Sequence, residues 1–371
     1  MSDDKLIKVI KSLPLFAKAF LKIRTKSGRI EPFVFNQAQD YVHSRLEAQL
    51  EEMGRVRALI LKGRQMGSST YVGARYFHKV CTSRGKKAFI LTHEAEATKN
   101  LFDMTKRYYD SLPDGLVPKP DASSAKELSF TSLNSGYGVG TAGNKSVGRS
   151  QTIQLFHGSE VAYWPHAEDH SKGVLQAVSN EPGTEVVLES TANGIGNYYY
   201  DMWMSASSGE SDFQAIFVPW YWQPEYKAYY RENETVSLTD EEQELLDEHG
   251  DNGLTVEHLC WRRRKLLEFS NDFETGRELF NVEYPFTALD AFRNPVADRF
   301  IKANLVTRAR KNHVDSHSQL VIGVDPAITD HDRTAIIRRK GRLAYNAETH
   351  YNLNTMEIAG LVRRIIDKEH P

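Results

Sequence analysis

The stretch RALILKGRQMGSSTYVGARYFHKV, from Arg57 to Val80, decides the fold of this chain. It begins with a short apolar run, Ala58 to Leu61, which is typical of a buried strand. The glycine-containing loop Lys62 to Gly67 follows, and two serines and a threonine then open a segment of helical length. The order predicts a strand, a loop of the size that cradles a phosphate group, and a helix N-terminus.

The predicted loop has the groups that bind a nucleoside triphosphate. Successive backbone N–H groups before a helix N-terminus form a donor site for phosphate oxygens, and a hydroxyl at the helix start can hold Mg²⁺. In the usual phosphate loop, G-x-x-x-x-G-K-[ST], the lysine follows the second glycine. With Gly67 as that glycine, Lys62 lies at the first position, Ser68 replaces the lysine and Ser69 supplies the hydroxyl.

Two interpretations of the loop are open from its residues alone, because a polar turn fits the imperfect match as well as a nucleotide site does. Lys62 and Arg64 favour the nucleotide site, since two cations in a loop that already attracts anions are costly without a bound anion. Arg64 is therefore also a candidate catalytic cation. The predicted nucleotide contacts are Lys62, Gly63, Arg64, Gln65, Gly67, Ser68, Ser69 and Thr70.

Composition predicts a globular, intracellular protein. A chain of 371 residues with 40% hydrophobic content can build two or three domains. The formal net charge is −2, so any nucleic acid must bind through local patches. Cys81 and Cys260 lack zinc-like spacing, and the run Leu13 to Ile23 is interrupted by lysines, which indicates an amphipathic helix and not a signal peptide. No apolar run approaches the ~18 residues of a membrane span.

Strands alternate with helices over the first 219 residues. The first 50 residues are predicted to be helical with a break at Ser27 to Phe35, and Asn36 is the expected N-cap of the next helix. Gln39 follows; its amide could read an adenine edge, although a surface glutamine is an equally ordinary explanation. Further strands are predicted at Lys87 to Thr92, Glu127 to Thr131, Ile153 to Phe156, Glu185 to Ser190 and Phe213 to Pro219. This alternation predicts an α/β fold with a largely parallel sheet and ligands at the strand C-termini.

Two segments near the expected ligand edge carry chemistry. The Gly- and Ser-rich stretch Asn134 to Ser150, with Lys145 and Arg149, is predicted to be a mobile loop. Glu160 follows a buried strand, where nucleotide hydrolases place the carboxylate that polarises water, although an ordinary edge charge is the alternative. Ser159 occupies the place of the aspartate that usually holds Mg²⁺ through water. Small polar groups after the next strand, Thr191 and Asn193, can hydrogen-bond the γ-phosphate and report its hydrolysis.

From Trp220 the composition changes to that of a small connecting subdomain. Aromatic residues crowd together between Trp220 and Tyr230, and we expect them to pack and not to stack on bases. Asp240 to Asp251 contains seven acidic residues and no lysine or arginine, which indicates a solvated helix face. The basic cluster Arg262 to Lys265 can contact DNA phosphates or pair with that acidic helix, and both interpretations are open.

The last segment begins with a strand, Gln319 to Asp325, that ends in an aspartate beside a predicted hairpin. This is how a nuclease of the ribonuclease-H type opens, and such enzymes use clustered carboxylates to hold two divalent cations, Mg²⁺ or Mn²⁺. Besides Asp325, Asp330 and Asp332 are weaker candidates. Because the sequence stops at Pro371, we expect an incomplete nuclease domain.

Six stretches, in this order, resemble the large subunit of a tailed-bacteriophage terminase, the ATPase that pumps DNA into an empty capsid. They are GRQMGSST (Gly63 to Thr70), FHGSEVAYWP (Phe156 to Pro165), ESTANGIGNYYYDMW (Glu189 to Trp203), VPWYW (Val218 to Trp222), EYPFTALDAF (Glu283 to Phe292), and GVDPA with DRTA (Gly323 to Ala335). The resemblance implies a P-loop NTPase core of the ASCE type, a linker subdomain and the start of a ribonuclease-H-like domain. The expected boundaries are 1–219, 220–315 and 316–371.

The resemblance also implies roles for single residues. Lys62 becomes the phosphate contact despite Ser68, Glu160 the catalytic glutamate, and Gln39 an adenine contact. The further implied roles are coupling by Thr191 and Asn193, an arginine finger at Arg149 that acts on a neighbouring subunit's ATP, and a first nuclease metal ligand at Asp325. With Ser159 in place of aspartate, Mg²⁺ would depend on Ser69 and water.

The implied function is ATP-driven translocation of double-stranded DNA into a procapsid. The implied partners are the portal protein, the terminase small subunit and identical subunits in a ring, with no membrane. The implied location is the cytoplasm of an infected bacterium and, transiently, the portal, but not the mature virion. Two rivals are a helicase-like or other DNA-dependent ATPase, and a degenerate nucleotide-binding scaffold, which the serines at 68 and 159 motivate.

Overall fold

A computed structural model describes residues 3–124, 126–143, 152–228, 236–292, 318–327, 333–351 and 353–369. The chain divides into two units, Met1–Ala297 and Asp298–Pro371. Within the described residues, no helix is long and apolar enough to cross a membrane.

The first unit is built on an eight-stranded sheet. Its helices are α1 (Asp3–Lys11), α2 (Leu13–Phe20), α3 (Gln37–Met53), α4 (Ser68–Thr82), α5 (Ala95–Asp110), α6 (Ala167–Ala177), α7 (Tyr198–Ser208), α8 (Asp240–His249), α9 (Val256–Phe269), α10 (Phe273–Glu283) and α11 (Ala288–Ala291). Its strands are β1 (Lys22–Arg24), β2 (Ile30–Pro32), β3 (Val56–Lys62), β4 (Lys87–Thr92), β5 (Ala122–Ser123), β6 (Glu127–Phe130), β7 (Ser135–Thr141), β8 (Leu155–Ser159), β9 (Glu185–Ser190) and β10 (Gln214–Val218). The sheet order is β10-β3-β9-β8-β4-β7-β6-β5. Strands β10 to β7 in this order are parallel, and β6 and β5 form an antiparallel edge.

The central strands are buried on both faces, as a parallel sheet between two helix layers requires. Every residue of β3, β8 and β9 is buried. Ala58 and Ile60 of β3 pack in one core with α3 and α4, whereas Leu59 and Leu61 pack in a second core with α7. The continuous apolar run of β3 therefore serves two cores at once.

A buried ion-pair network fixes α4 to the sheet. Glu185, which begins β9, lies 2.7 Å from Arg75 Nε and 2.7 Å from Lys79 Nζ, and both cations belong to α4. Burial alone raises the pKa of Glu185, but Arg75 and Lys79 outweigh burial and lower this pKa to about 2. The network fixes the position of α4, the helix that begins at the phosphate loop, relative to β9.

The prediction of a mobile loop from Asn134 is wrong for its first half, because β7 pairs in parallel with β4. Tyr137 and Val139 point into the core at the two-residue period of a strand. Gly138 leaves room for the neighbouring ring, since a Cβ there would lie 3.3 Å from the Phe89 side chain. Glycine content indicated a loop, but the alternating apolar residues decide the structure. Lys145 and Arg149 lie outside the described residues.

The N-terminal region also differs in part from the prediction. The helix expected over Leu13 to Ile23 ends at Phe20, and Lys22–Arg24 pairs antiparallel with Ile30–Pro32. Gly28, at a φ of 84°, closes this short hairpin. The helical break thus begins at Leu21 and contains two strands, whereas the predicted N-cap Asn36 is present with a full capping box.

The region after β10 packs as an aromatic core under helices α8 to α11. Trp220 is fully buried and its ring stacks on Trp261, with the rings of Tyr226 and Phe280 beside it. These aromatic side chains are committed to packing, as predicted. Of the two interpretations of the basic cluster, the structure shows the ion pairs: Arg262 lies 2.7 Å from Glu241, and Arg263 pairs with Glu242.

The second unit has a three-stranded antiparallel sheet in the order β11-β12-β13, followed by one helix. Its elements are β11 (Leu320–Asp325), β12 (Arg333–Lys340), β13 (Leu343–Tyr351) and α12 (Thr355–Glu369). Asp325 ends β11 and is exposed. Asp330 and Asp332 lie outside the described residues. The strand and the hairpin predicted in this segment are confirmed.

Candidate functional site

Side chains of neighbouring elements bind the carbonyl groups of the phosphate loop between β3 and α4. The carbonyl of Arg64 accepts a hydrogen bond from the Tyr226 hydroxyl at 2.8 Å, and that of Gln65 accepts from Gln223 Nε2 at 2.6 Å. On the other side, Asn36 Nδ2 donates to the carbonyl of Met66 at 3.4 Å, and Gln39 Nε2 donates to that of Gly67 at 2.9 Å. Four successive peptides are therefore oriented by neighbouring elements.

The same orientation leaves the amide groups of the loop free for an anion. The N–H groups of residues 65–69 donate to none of the other described residues. They precede the N-terminus of α4, where the helix dipole favours negative charge. Gly67 has a φ of 79°, and a Cβ there would lie 2.6 Å from Gln39 Nε2, so only glycine fits this position. The loop is a donor site of the size and polarity that phosphates need.

Lys62, at the end of β3, reaches two carboxylates from neighbouring strands. Its Nζ lies 2.9 Å from Glu160 Oε1 and 3.2 Å from Glu189 Oε2. Its side chain is 5% exposed, so the ammonium is almost fully removed from water. Burial opposes the charge, but Glu160 and Glu189 outweigh burial and hold the pKa of Lys62 well above its ordinary value.

Glu160 sits where β8 ends, in a left-handed conformation with a φ of 54° and a ψ of 49°. Such a conformation is costly for a residue with a Cβ and is typical of functional turns. Glu160 Oε2 accepts from Ser190 Oγ at 3.4 Å and from the backbone N–H of Thr191 at 3.3 Å. The end of β9 thus contacts the carboxylate directly.

Glu189 is the site residue that sequence reasoning missed. It is fully buried, its Oε1 accepts from Ser69 Oγ at 2.5 Å, and the same oxygen lies 3.4 Å from His157 Nε2. Burial would raise the pKa of Glu189, but Lys62, His157 and Ser69 outweigh it and hold this pKa well below its ordinary value. The available signal was a carboxylate inside a buried strand, which must be paired to be tolerated.

The other predicted residues are placed as follows. Gln39 uses its amide within the protein, because Oε1 accepts from the N–H of Asn36 while Nε2 binds Gly67. Arg64 is exposed and pairs with Glu283, whose carbonyl also accepts from the Arg64 N–H at 3.0 Å. Asn193 Nδ2 donates to the carbonyl of Ala162 at 2.9 Å.

Five more predicted loop and coupling residues lie at or beside the site. Gly63 is buried against Trp220, Gln65 is exposed at a φ of 53°, and Ser68 is 5% exposed at the start of α4. The Thr70 carbonyl accepts from Tyr108, and Thr191 Oγ1 donates to the Tyr163 hydroxyl at 3.2 Å. Arg149 lies outside the described residues, and Asp325 belongs to the second unit.

The arrangement suits magnesium-bound ATP on the chemistry of its donors. Mg²⁺ prefers oxygen ligands and usually retains several water molecules. Ser69 supplies a hydroxyl and Glu189 a carboxylate beside it, while free amides and Lys62 complement phosphate oxygens. Among the described residues no three His, Cys, Asp or Glu side chains form a metal site of their own. The residues therefore fit a cation that arrives with a nucleotide.

No protein-family model matches the chain. The large terminase of bacteriophage HK97 aligns with 96% of this chain and 70% of its own, with 12% sequence identity and a TM-score of 0.52. The large terminase of a thermophilic bacteriophage aligns over 91% of this chain and 75% of its own, at 10% identity and a TM-score of 0.45. The ATPase domain of the Thermus phage P74-26 large terminase aligns over 68% and 93%, at 13% identity and a TM-score of 0.43.

The conclusion on the fold rests on the HK97 alignment, whose TM-score exceeds 0.5. The α/β class, the mostly parallel sheet with flanking helices and the P-loop NTPase type of core are confirmed. The chain has the fold of the bacteriophage large terminases, the family that its sequence motifs resemble.

Proposed function

We propose that this chain is an ATPase that drives double-stranded DNA into a procapsid. The observation that carries the proposal is the 2.9 Å contact between Lys62 Nζ and Glu160 Oε1. A phosphate-binding lysine and a candidate catalytic carboxylate, from strands separated by β9, meet at one sheet edge. This is the geometry that hydrolysis of a bound triphosphate needs.

In the proposed reaction the free amides of residues 65–69 bind the phosphates of ATP, and Lys62 moves from its carboxylates to the outer phosphate oxygens. Lys62 then no longer neutralises Glu160, which becomes free to polarise the attacking water. When bound with ATP, Mg²⁺ would supply positive charge that stabilises the transferring phosphoryl group. Ser69 would hold it, beside the carboxylate of Glu189.

Glu160 also connects the reaction to the rest of the first unit. Ser190 Oγ and the Thr191 N–H donate to its carboxylate. A shift of Glu160 during turnover would therefore move the segment that carries Thr191 and Asn193. We assign these two residues to the coupling of hydrolysis to DNA movement. Arg149 acts as the arginine finger on a neighbour's ATP, and such a finger contributes about 10³–10⁵ in rate in other hydrolases.

Around this core we propose the domain boundaries 1–219, 220–315 and 316–371, and a ring of identical chains on the portal protein. The terminase small subunit and double-stranded DNA are further partners in this proposal. Asp325 is proposed as a ligand of a divalent cation, Mg²⁺ or Mn²⁺, in a nuclease whose remaining carboxylates are not among the described residues. The site of action is the cytoplasm of the infected bacterium.

Steady-state ATP hydrolysis with and without double-stranded DNA tests the proposal. Glu160→Gln should bind ATP but hydrolyse it about 10²–10⁴-fold more slowly, because its amide cannot accept a proton. The control is Glu181→Gln, an exposed carboxylate before the start of β9, which should keep wild-type activity. Wild-type turnover by Glu160→Gln would contradict the assigned role.

The same assay separates the rival functions. A wild-type protein that binds ATP but does not hydrolyse it, even with DNA, is a nucleotide-binding scaffold. Directional strand separation in the absence of a procapsid indicates a helicase-like motor. ATP-dependent uptake of duplex DNA by procapsids, lost in Glu160→Gln, is the result that we expect.

A further inference from the structure

We propose that Glu189 is the carboxylate that orients Ser69 at the Mg²⁺ accompanying ATP, in place of the aspartate that is missing at Ser159. The inference rests on the proposed ATPase function and gives a role to Glu189, which begins the motif Glu189 to Trp203 but to which the resemblance assigns no role. It explains how a site without the usual acidic pair can still hold a cation.

The sheet register shows that a carboxylate on β9 can take the place of the one that is usually found on β8. Ser159 of β8 and Glu189 of β9 are direct Cα partners in adjacent parallel strands. Register partners project from the same face of a sheet, so the two side chains share the face that α4 covers. Because β9 lies between β3 and β8, Glu189 is one strand, about 4.8 Å, nearer to the phosphate loop than Ser159 is.

The contacts of Glu189 match the proposed task. Its Oε1 accepts from the hydroxyl of Ser69 at 2.5 Å, so the hydrogen of that hydroxyl points at the carboxylate and the oxygen lone pairs are free to face a cation. This is the hydroxyl that the loop places at the start of α4. A carboxylate that accepts a hydrogen bond from a metal ligand typically determines the orientation and the basicity of that ligand.

Within the part of the chain that the structure describes, buried polar atoms without a hydrogen-bond partner lie at and beside the Glu189 carboxylate. Glu189 is fully buried, and its Oε2 accepts no well-aligned hydrogen bond from the described residues, although it lies 3.2 Å from Lys62 Nζ. Both ring nitrogens of the fully buried His157 also lack a hydrogen-bond partner among these residues. Buried polar groups are rarely left unsatisfied unless the site takes up water or an ion. Here the spare acceptor lies beside the hydroxyl that would ligate Mg²⁺.

A purely structural interpretation makes a different prediction. If Glu189 only neutralised the buried Lys62, its replacement would change stability but not the preference of the site for a divalent cation. Binding of Mn²⁺, measured by electron paramagnetic resonance in the presence of ATP, separates the two because it needs no turnover. Glu189→Gln should lower the affinity for Mn²⁺ about 10–100-fold, as loss of an outer carboxylate does in other metal sites. Glu181→Gln, which removes an exposed carboxylate outside the site, should leave that affinity unchanged.

Two further variants make the test independent of folding. Glu189→Asp keeps the negative charge near Lys62 but withdraws the carboxylate from Ser69 by one methylene, so it should also weaken Mn²⁺ binding. The double variant Glu189→Gln with Ser159→Asp restores a carboxylate one strand away and should recover part of the lost affinity. Thermal melting without nucleotide shows that each variant is folded.

The outcomes distinguish this inference from the proposed function. Wild-type affinity for Mn²⁺ in Glu189→Gln or in Glu189→Asp overturns the role of Glu189 and leaves the ATPase proposal intact. A wild-type protein that binds no ATP in the same titration overturns the ATPase proposal, and the role of Glu189 with it.

Discussion

Lys62 is the residue on which the site depends, because one buried cation is shared by two carboxylates. Glu160 is 27% exposed and can be hydrated by water, but Glu189 is fully buried. Without a nucleotide, Lys62 is therefore the main charge that makes an ionised Glu189 tolerable. In the proposed reaction, phosphate binding at this lysine competes with two existing ion pairs, so nucleotide binding and the release of Glu160 would be a single event.

We expect Lys62→Met to destabilise the nucleotide-free protein by about 3–5 kcal/mol at neutral pH, since it leaves Glu189 buried without its partner. The pKa of Glu189 lies below the 4.5 of an unfolded glutamate, so its stabilising effect is present above pH 4.5 and is lost as the pH falls below it. The difference between variant and wild type should therefore shrink in acid. Urea unfolding between pH 7 and pH 3 measures it.

The control for this prediction is Lys87→Met, which removes an exposed lysine from the start of β4 and should change the free energy of unfolding little. A Lys62→Met protein as stable as wild type at pH 7 would mean that the ion pairs contribute nothing to folding. In that case Glu189 would be protonated in the nucleotide-free protein.

At this scale the sequence predicts several residues that the structure brings together, but it does not predict their partners. Lys62, Ser69 and Glu160 are predicted from their positions at the start of the loop, at the start of the helix and just after a strand. Glu189 was not, because its significance depends on the register between β8 and β9, which no local pattern encodes. Gln39 was predicted as an adenine contact, whereas the structure shows both of its amide functions bound within the protein.

The elements around the phosphate loop act as a clamp from two sides. The N-terminus of α3 binds the carbonyls of Met66 and Gly67, and the segment after β10 binds those of Arg64 and Gln65. Because that segment is packed with α9 and α10, we expect a movement of these helices to shift the loop, and binding at the loop to shift the helices.

Tyr226→Phe tests this link by removing one hydrogen bond to the loop while keeping the aromatic ring. We expect the dissociation constant for ATP to rise severalfold, in line with the roughly 0.5–1.5 kcal/mol of a single hydrogen bond. Tyr221→Phe is the matched control, since that ring packs on His249 and Phe286 and not on the loop. Isothermal titration with ATP measures both, and equal affinities in the two variants would contradict the clamp.

Two strands that are short buried runs between turn residues were predicted to the residue, and elements set by tertiary contacts were not. Lys87–Thr92 and Glu185–Ser190 are strands with the predicted bounds, because short buried runs between turn residues are unambiguous. Strand β7 was missed because its three glycines resemble a loop in composition, although Gly138 allows close packing against Phe89 of β4. The β1–β2 hairpin is too short to have a period of its own.

At the scale of the whole chain, the two units contain different candidate sites. The first unit, Met1–Ala297, contains the phosphate loop, both carboxylates and the clamp, so the proposed ATPase site lies within one unit. The second unit, Asp298–Pro371, contributes Asp325 at the end of β11. Along the sequence, the motifs of the proposed nucleotide site precede residue 297, and Asp325 follows it.

The last prediction concerns DNA cutting by this 371-residue chain. Cleavage of the ribonuclease-H type needs several carboxylates around two cations. Asp325 is exposed, and the described residues contain no group of three His, Cys, Asp or Glu side chains that could hold a metal. If the nuclease domain is incomplete, as the sequence predicts, supercoiled plasmid should remain intact with this chain in Mg²⁺ or Mn²⁺, under conditions in which ATP is hydrolysed. Nicking that requires a divalent cation and disappears in Asp325→Ala would contradict this expectation and would mean that residues outside the described ranges complete the metal site.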